Sequence, residues 1–310
     1  MKIYAPTYLK SFHCIADKCK HSCCIGWEIY IDDDTLDVYS SMGGALGEKI
    51  RANTAKDEYG THFIMDKENR CPFLNKCGLC DIILEKGEEY ISEICTEHPR
   101  YYSFLSDRTE MGLGICCEEA ARIILSQTEK FSLFVLDDNG EKDEISSRDE
   151  NLLILRKNLF SLLQNRKIPL SERTEHLLSV TGADFPSKSI AEWADIFSGF
   201  EIMDPAWEDA LSMLSKAENK DAMHEFNTAF ENLLIYFIYR HLSAAFDGTD
   251  LAARISFAYL GFTVIKALCA AKKSLTGECS FADLCEFARL YSAEIEYSEE
   301  NTEALIEMLQ

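Results

Sequence analysis

Ten of the chain's thirteen cysteines fall between Cys14 and Cys117, within a sequence of 310 residues. They run Cys14, Cys19-x3-Cys23-Cys24, Cys71-Pro72-Phe73-Leu74, Cys77-x2-Cys80, Cys95 and Cys116-Cys117. Thiolates are soft ligands that favour zinc or iron–sulfur clusters, and four complete one tetrahedral zinc or one common cluster. Cys19 and Cys23 at a spacing of four can converge from one helical turn, and Cys77 with Cys80 offers a second short pair. The remaining ligands lie far apart along the chain. Closing a loop costs only about 0.6 kcal/mol per doubling of its length, whereas structural zinc contributes an apparent ~10–16 kcal/mol. Zinc and iron–sulfur both remain open on these grounds. Cys269, Cys279 and Cys285 sit in helical sequence without close pairing and read as ordinary packed thiols.

The compartment supports the metal reading. Met1-Lys2-Ile3-Tyr4-Ala5-Pro6 lacks the charged and then apolar pattern of a signal peptide, which predicts a cytoplasmic protein. Thiols stay reduced there, so a dense cysteine group is better explained by metal than by disulfides. Fifty-three acidic residues against 31 basic ones give a formal charge of −22. That field repels a phosphate backbone, excludes nucleic acid as a partner and would draw in a lysine-rich protein.

The elements that must position these residues differ between the two ends of the chain. The N-terminal part has weak periodicity, with Trp27–Ile31 as a short strand, Asp34 or Thr35 capping the following helix, and Asp32-Asp33-Asp34 as its solvated start. Metal bonds, rather than a large apolar core, are expected to hold it. Phe131–Leu136 reads as a strand and 137–150 as a linker or long hairpin. Helical patterns then follow at about 151–166, 171–180, 189–199, 205–218, 221–246, 250–273 and 280–293. Asp204 before Pro205 marks a helix start. Met223, Phe226, Phe230, Leu233, Leu234, Phe237, Ile238, His241 and Leu242 trace one side of a helix, and Ile235, Tyr236 and Tyr239 widen the stripe, which places this helix at the centre of a bundle. Leu251–Ala271 approaches the ~20 apolar residues that cross a bilayer, but Arg254 and Lys266 interrupt it, so it reads as a core helix and no membrane partner is expected. The fold class expected is mainly α: an irregular, cysteine-rich metal-binding region with short strands over 1–136, then an all-helical domain over 150–310.

Phe12-x-Cys14, Cys19-x3-Cys23-Cys24-x-Gly26-Trp27, Cys71-Pro-Phe-Leu, Gly78-Leu79-Cys80, Cys95-x3-Pro99-Arg100 and Cys117-x-Glu119-x-Ala121-Arg122 resemble the flagellin lysine N-methylase (FliB) family. That family belongs to a wider group with a zinc- or iron-chelating domain built on eight cysteines. The matching positions here are Cys14, Cys19, Cys23, Cys24, Cys71, Cys80, Cys95 and Cys117, with Cys77 and Cys116 as extras. The resemblance covers about the first 125 residues; the helical remainder carries no nameable motif. It implies methyl transfer from S-adenosylmethionine to lysines of flagellin or a similar protein, with an iron–sulfur cluster or zinc as companion.

The residues do not display that chemistry independently. No strand leads into a Gly-x-Gly-x-x-Gly loop, which disfavours a Rossmann-type methyltransferase. A Cys-x3-Cys-x2-Cys radical signature fails because Gly26 occupies the third position after Cys19 and Cys23. The lysine amine, with a reference pKa of about 10.4, must also lose its proton, so docking and reaction surfaces should be separate. His98, Arg100, Tyr101 and Tyr102 follow Cys95 and are expected near it; Tyr101 or Tyr102 would orient an amine, although packing for the tyrosines and a helix or cluster hydrogen bond for Arg100 are the simpler roles. His13 and His21 are weaker ligand candidates among so many thiols. Two rivals keep the cysteines but change the function: a metal-chelating protein-interaction module, and an iron–sulfur redox protein.

Overall fold

A computed structural model describes residues 1–141, 143–216 and 223–310. The chain divides into two compact units, one formed by residues 13–100 and the other by residues 1–12 with 101–310.

The larger unit starts with strand β1 (Lys2–Pro6) and resumes only after the whole of the smaller one. The smaller unit holds helices α1 (Asp33–Ser41) and α2 (Gly44–Ala52), the antiparallel pair β2 (Thr54–Lys56) and β3 (Thr61–Phe63), and the short helices α3 (Asp81–Lys86) and α4 (Glu93–Glu97). Its core is Ile29, Ile31, Tyr39, Leu46, Ile50, Phe63, Phe73, Ile82 and the thiol-bearing Cys71. The cap of α1 is Asp32, which accepts from the Thr35 N–H at 2.9 Å, in place of the Asp34 or Thr35 expected. Its other oxygen takes the Glu93 N–H at 2.8 Å, so one carboxylate caps α1 and ties it to α4. Trp27–Ile31 forms no strand; Ile29 and Ile31 make single backbone bonds to the β3 segment.

The rest of the larger unit comprises β4 (Arg100–Phe104), β5 (Arg108–Leu113), α5 (Glu118–Leu125) and β6 (Leu133–Asp138). The helices α6 (Ser147–Leu163), α7 (Leu170–Thr181), α8 (Ile190–Ser198), α9 (Pro205–Ser215), α10 (Asn227–His241), α11 (Gly248–Thr276), α12 (Phe281–Tyr291) and α13 (Glu299–Met308) follow. The four strands lie in the order β4-β5-β1-β6, with β1 parallel to β5 and antiparallel to β6. These pairings draw residues 101–136 into the helical unit. They account for a division at 13–100 where the sequence suggested 1–136 and 150–310.

The helical part follows the sequence closely. Asp204 caps α9 with Pro205 in its first turn, and Ser189 and Ser280 form capping boxes with Glu192 and Asp283. Residues 229–239 of α10 are buried on every side of the helix, as a central helix must be. By length and composition α11 could cross a membrane, yet 67% of its apolar window is buried within the protein. Residues 217–218 and 221–222, at the expected junction before α10, lie outside those described. Among the described residues the fold is mainly helical with short strands.

Candidate functional site

In the smaller unit the backbone brings several cysteines to one place. Ile25 bridges Arg70, the Gly26 N–H reaches the Asn69 carbonyl at 2.9 Å, and the Cys71 N–H reaches the Cys24 carbonyl at 2.8 Å, which sets Cys24 beside Cys71. A second bridge pairs Leu74 with Cys80, and the Asp81 N–H reaches the Phe73 carbonyl at 2.8 Å, returning Cys80 to the same segment. The loop between needs Gly78 at φ +75°, a conformation open to glycine at no steric cost, and the Asn75 side chain accepts from the Cys77 and Leu79 N–H groups. Cys80 caps α3, and Cys95 lies in α4.

The thiols feel one another. Cys14, Cys24 and Cys95 act on Cys23; Cys24, Cys80 and Cys95 act on Cys71; Cys24 acts on Cys80 and, with Cys80, on Cys95. Burial, reinforced by these like charges, pushes Cys71 up to about 12 and Cys95 up to about 11, and raises Cys80. The adjacent Cys23 and Cys24 share a hydrogen bond that raises Cys23 and lowers Cys24, the latter also favoured by Arg70. In kind, this donor set suits a soft cation, whose charge would offset the crowding of thiolates. In position it stops short of coordination: among the described residues no three His, Cys, Asp or Glu side chains form a group that could hold a metal ion.

The other expected ligands differ. Cys19 is an extended residue after a short 3-10 helix and Cys23 lies in the following turn, so they do not share one helical turn, and the Cys19 thiol donates to the His21 carbonyl at 3.1 Å. Cys77 is exposed and is not among the thiols that act on Cys23, Cys71, Cys80 or Cys95. Cys117 belongs to the other unit, where it caps α5 and packs against the helical core. His13 is exposed and His21 half-buried. His98 shares the unit of Cys95 and lies tilted against Trp27, ring centres 6.1 Å apart, with burial holding its imidazole down to about 4. Arg100 donates to the Thr96 carbonyl at 2.9 Å, a helix-end bond of the simpler kind anticipated. Tyr101 lies in the larger unit, its ring between Arg240 at 4.9 Å and Tyr239 at 6.4 Å, and above Gly112, where any Cβ would overlap it. Tyr102 is exposed.

A charged cluster that no motif announced fills the centre of the larger unit. Glu296 ends a π-helical segment, Ser292–Glu296, a widened turn that often marks functional positions. Its carboxylate accepts from the Tyr236 hydroxyl at 3.0 Å, lies 2.6 Å from His241 Nε2 and sits 3.4 Å from Arg240 Nε. Tyr236 Oη in turn accepts from the Ile115 N–H and from Arg240, and the Arg240 guanidinium covers the Tyr297 ring at 4.6 Å. Gly114 lies so close to Tyr297 and Arg240 that a side chain there would overlap them. Tyr297 hydrogen-bonds the Cys116 thiol, which burial pushes up to about 12. Although burial opposes its charge, Arg240 and His241 hold Glu296 below the usual carboxylate range, and burial lowers His241. Glu296, Tyr236 and His241 are buried while Tyr297 reaches the surface, and a cavity of about 20 Å³, room for one water, lies beside Tyr236. A roomier cleft of about 400 Å³ lies among Arg166, Lys167, Pro169, Arg173, Thr228 and Glu231. Glu231 is held there by both arginines, at 3.0 and 2.6 Å, while Arg173 Nε has no acceptor.

Residues 188–310 match the FliB lysine N-methylase C-terminal domain. The chain is 24% identical over 147 residues to the flagellar biosynthetic protein FliU of Salmonella muenchen, covering 46% of this chain and 83% of that protein. It is 25% identical over 142 residues to the lysine-N-methylases of Salmonella typhimurium and Salmonella choleraesuis, covering 41% of this chain and 33% of theirs. The chain thus spans about a third of the length of those two relatives. No solved structure matches. The family match falls on the helical half, where the residues carry no nameable motif, and it includes Tyr236, Arg240, His241, Glu296 and Tyr297.

Proposed function

For a chain that is a relative of the FliB lysine N-methylases, we propose lysine N-methyl transfer to flagellin or a similar protein, with S-adenosylmethionine as donor and a cysteine-held metal or iron–sulfur cluster. The observation that carries this reading is the coexistence of the FliB C-terminal domain with the gathered thiols of Cys24, Cys71, Cys80 and Cys95. Those four would form the inner ligand set, with Cys14, Cys19 and Cys23 of the same unit beside them.

Zinc there would supply structural closure, and an iron–sulfur cluster would supply electron transfer. S-adenosylmethionine brings an electrophilic methyl group. The cleft of about 400 Å³ has the size of a small-molecule site, and its apolar Ile168, Pro169 and Leu170 could support a base. The exposed Lys167 would orient the carboxylate of such a donor. The acidic surface attracts a lysine-rich protein while favouring the charged amine, so the accepting lysine must be desolvated before its lone pair can attack.

The test is anaerobic purification with elemental analysis and a visible spectrum, then S-adenosylmethionine binding and methylation of flagellin on the same sample. Bound metal, cofactor binding and methylated lysines sustain the proposal. Metal without cofactor binding moves the chain to a metal-chelating interaction module. A reversibly reduced cluster without methyl transfer moves it to a redox protein.

A further inference from the structure

The three C-terminal cysteines, expected to be unrelated packed thiols, include a contact pair. Helix α11 ends on Gly277 at φ +87°, whose N–H returns to the Lys273 carbonyl at 2.9 Å. Thr276 Oγ1 donates to the Glu278 carbonyl at 2.8 Å, and three residues after Gly277, Ser280 caps α12 with its box to Asp283. This reversal folds Cys279 back along the last turns of α11 onto the core that holds Cys269, where the two thiols act on each other, while the Cys279 S–H donates to the Ser280 carbonyl at 3.8 Å. Cys269 is fully buried, and Cys279 is half-buried at the edge of the same core.

We propose that Cys269 and Cys279 are a redox-active dithiol, converted to a reversible disulfide by a hydroperoxide that reaches Cys279. The roles follow from exposure and charge. Cys279 is the sulfur nearer solvent, and the neighbouring Cys269 thiol and Lys272 ammonium favour its thiolate against partial burial, Asp283 and Glu225. Buried Cys269, already in contact, resolves the oxidised partner.

The thiolate of Cys279 attacks one peroxide oxygen, the O–O bond breaks, and a sulfenic acid forms as the other oxygen leaves as water after taking a proton. The Cys269 sulfur then attacks that sulfenic sulfur; its own proton and the departing hydroxyl make a second water. Two thiols and one hydrogen peroxide thus give one disulfide and two waters. The bond would tie the end of α11 to the start of α12, within the FliB C-terminal domain. It needs none of the cysteines assigned to metal, and Cys285, buried on α12, remains reduced.

The experiment uses the full chain, reduced and then treated with equimolar hydrogen peroxide, followed by alkylation and peptide mapping by mass spectrometry. The expected product is a cross-linked peptide joining Cys269 to Cys279, lighter by two hydrogens and restored by dithiothreitol. In C269S, Cys279 should instead appear as a sulfenic acid trapped by dimedone; in C279S, Cys269 should stay unoxidised. Because the wild-type map needs no variant, a failure of either serine protein to fold leaves the test intact. A Cys279 that remains a free thiol, overoxidises without cross-linking, or links to Cys285 overturns the proposal.

Discussion

Arg156 on α6 and Glu110 on β5 meet through two parallel N–H to oxygen bonds, both 2.6 Å, with side chains 5% and 2% exposed. The pair joins the first long helix to the sheet, and the guanidinium also lies 5.1 Å from the Tyr239 ring. Desolvating two charges is costly, so the pair contributes little net stability; removing one partner is different, because it leaves the other buried alone. R156A should therefore lower stability by about 3–5 kcal/mol, read as a fall in the denaturant midpoint. The double change R156M with E110L should recover most of it, and a double variant as unstable as R156A would contradict this account.

Gly114 has no room for even one methyl group between Tyr297 and Arg240. G114A should cost about 1–3 kcal/mol through overpacking. Removing the Tyr297 hydroxyl clears the nearest atom, so Y297F in the same chain should recover part of that loss in thermal unfolding.

His98 gives a pH signature. Burial holds its folded pKa at about 4 against an ordinary 6.5, so the native protein keeps it neutral while the unfolded chain protonates it. Its stabilising contribution is complete above pH 6.5 and is lost progressively between 6.5 and about 4. At 1.36 kcal/mol per pH unit the loss reaches at most ~3 kcal/mol. H98F should flatten that limb when stability is measured across the range; an unchanged slope would assign it to other groups.

Single replacements separate the cysteines. C80A should release metal and destabilise residues 13–100, seen as lost metal content and greater protease sensitivity. C77A should do neither, because the exposed Cys77 is not among the thiols that act on Cys23, Cys71, Cys80 or Cys95. Equal metal loss from both would redraw the ligand set.

The donor cleft is tested by K167E. Reversing the charge of an exposed side chain should weaken S-adenosylmethionine binding about tenfold, roughly 1.4 kcal/mol, with the melting temperature unchanged. Calorimetry that finds equal affinity would place the cofactor elsewhere.

Local signals proved readable in the sequence where a residue's role depends on its near neighbours. Asp204-Pro205 announced α9, the apolar run through Phe237 announced a central helix, and Arg254 and Lys266 argued for burial of α11. Distant partnerships were not readable. Nothing in Lys2–Pro6 specifies pairing with residues more than a hundred positions away, because sheet register is chosen by tertiary packing. Tyr236, Arg240 and Glu296 each look like ordinary helical residues, and only folding brings them onto one carboxylate. The approach of Cys279 to Cys269 was hidden for a similar reason: Gly277 signals where α11 stops, but not which side of the helix the returning chain touches.

The placement of β1 between β5 and β6 has a consequence in time. Lys2 to Pro6 are synthesised before both partner strands and cannot take their position between them until Arg108 and then Leu133 have been made. At about 5–20 residues per second that is a wait of roughly 7–26 seconds, during which residues 13–100 have all been synthesised and can fold. Strand β1 is thus made well before the strands that flank it, and for that interval its unpaired edges are open to any other extended chain nearby.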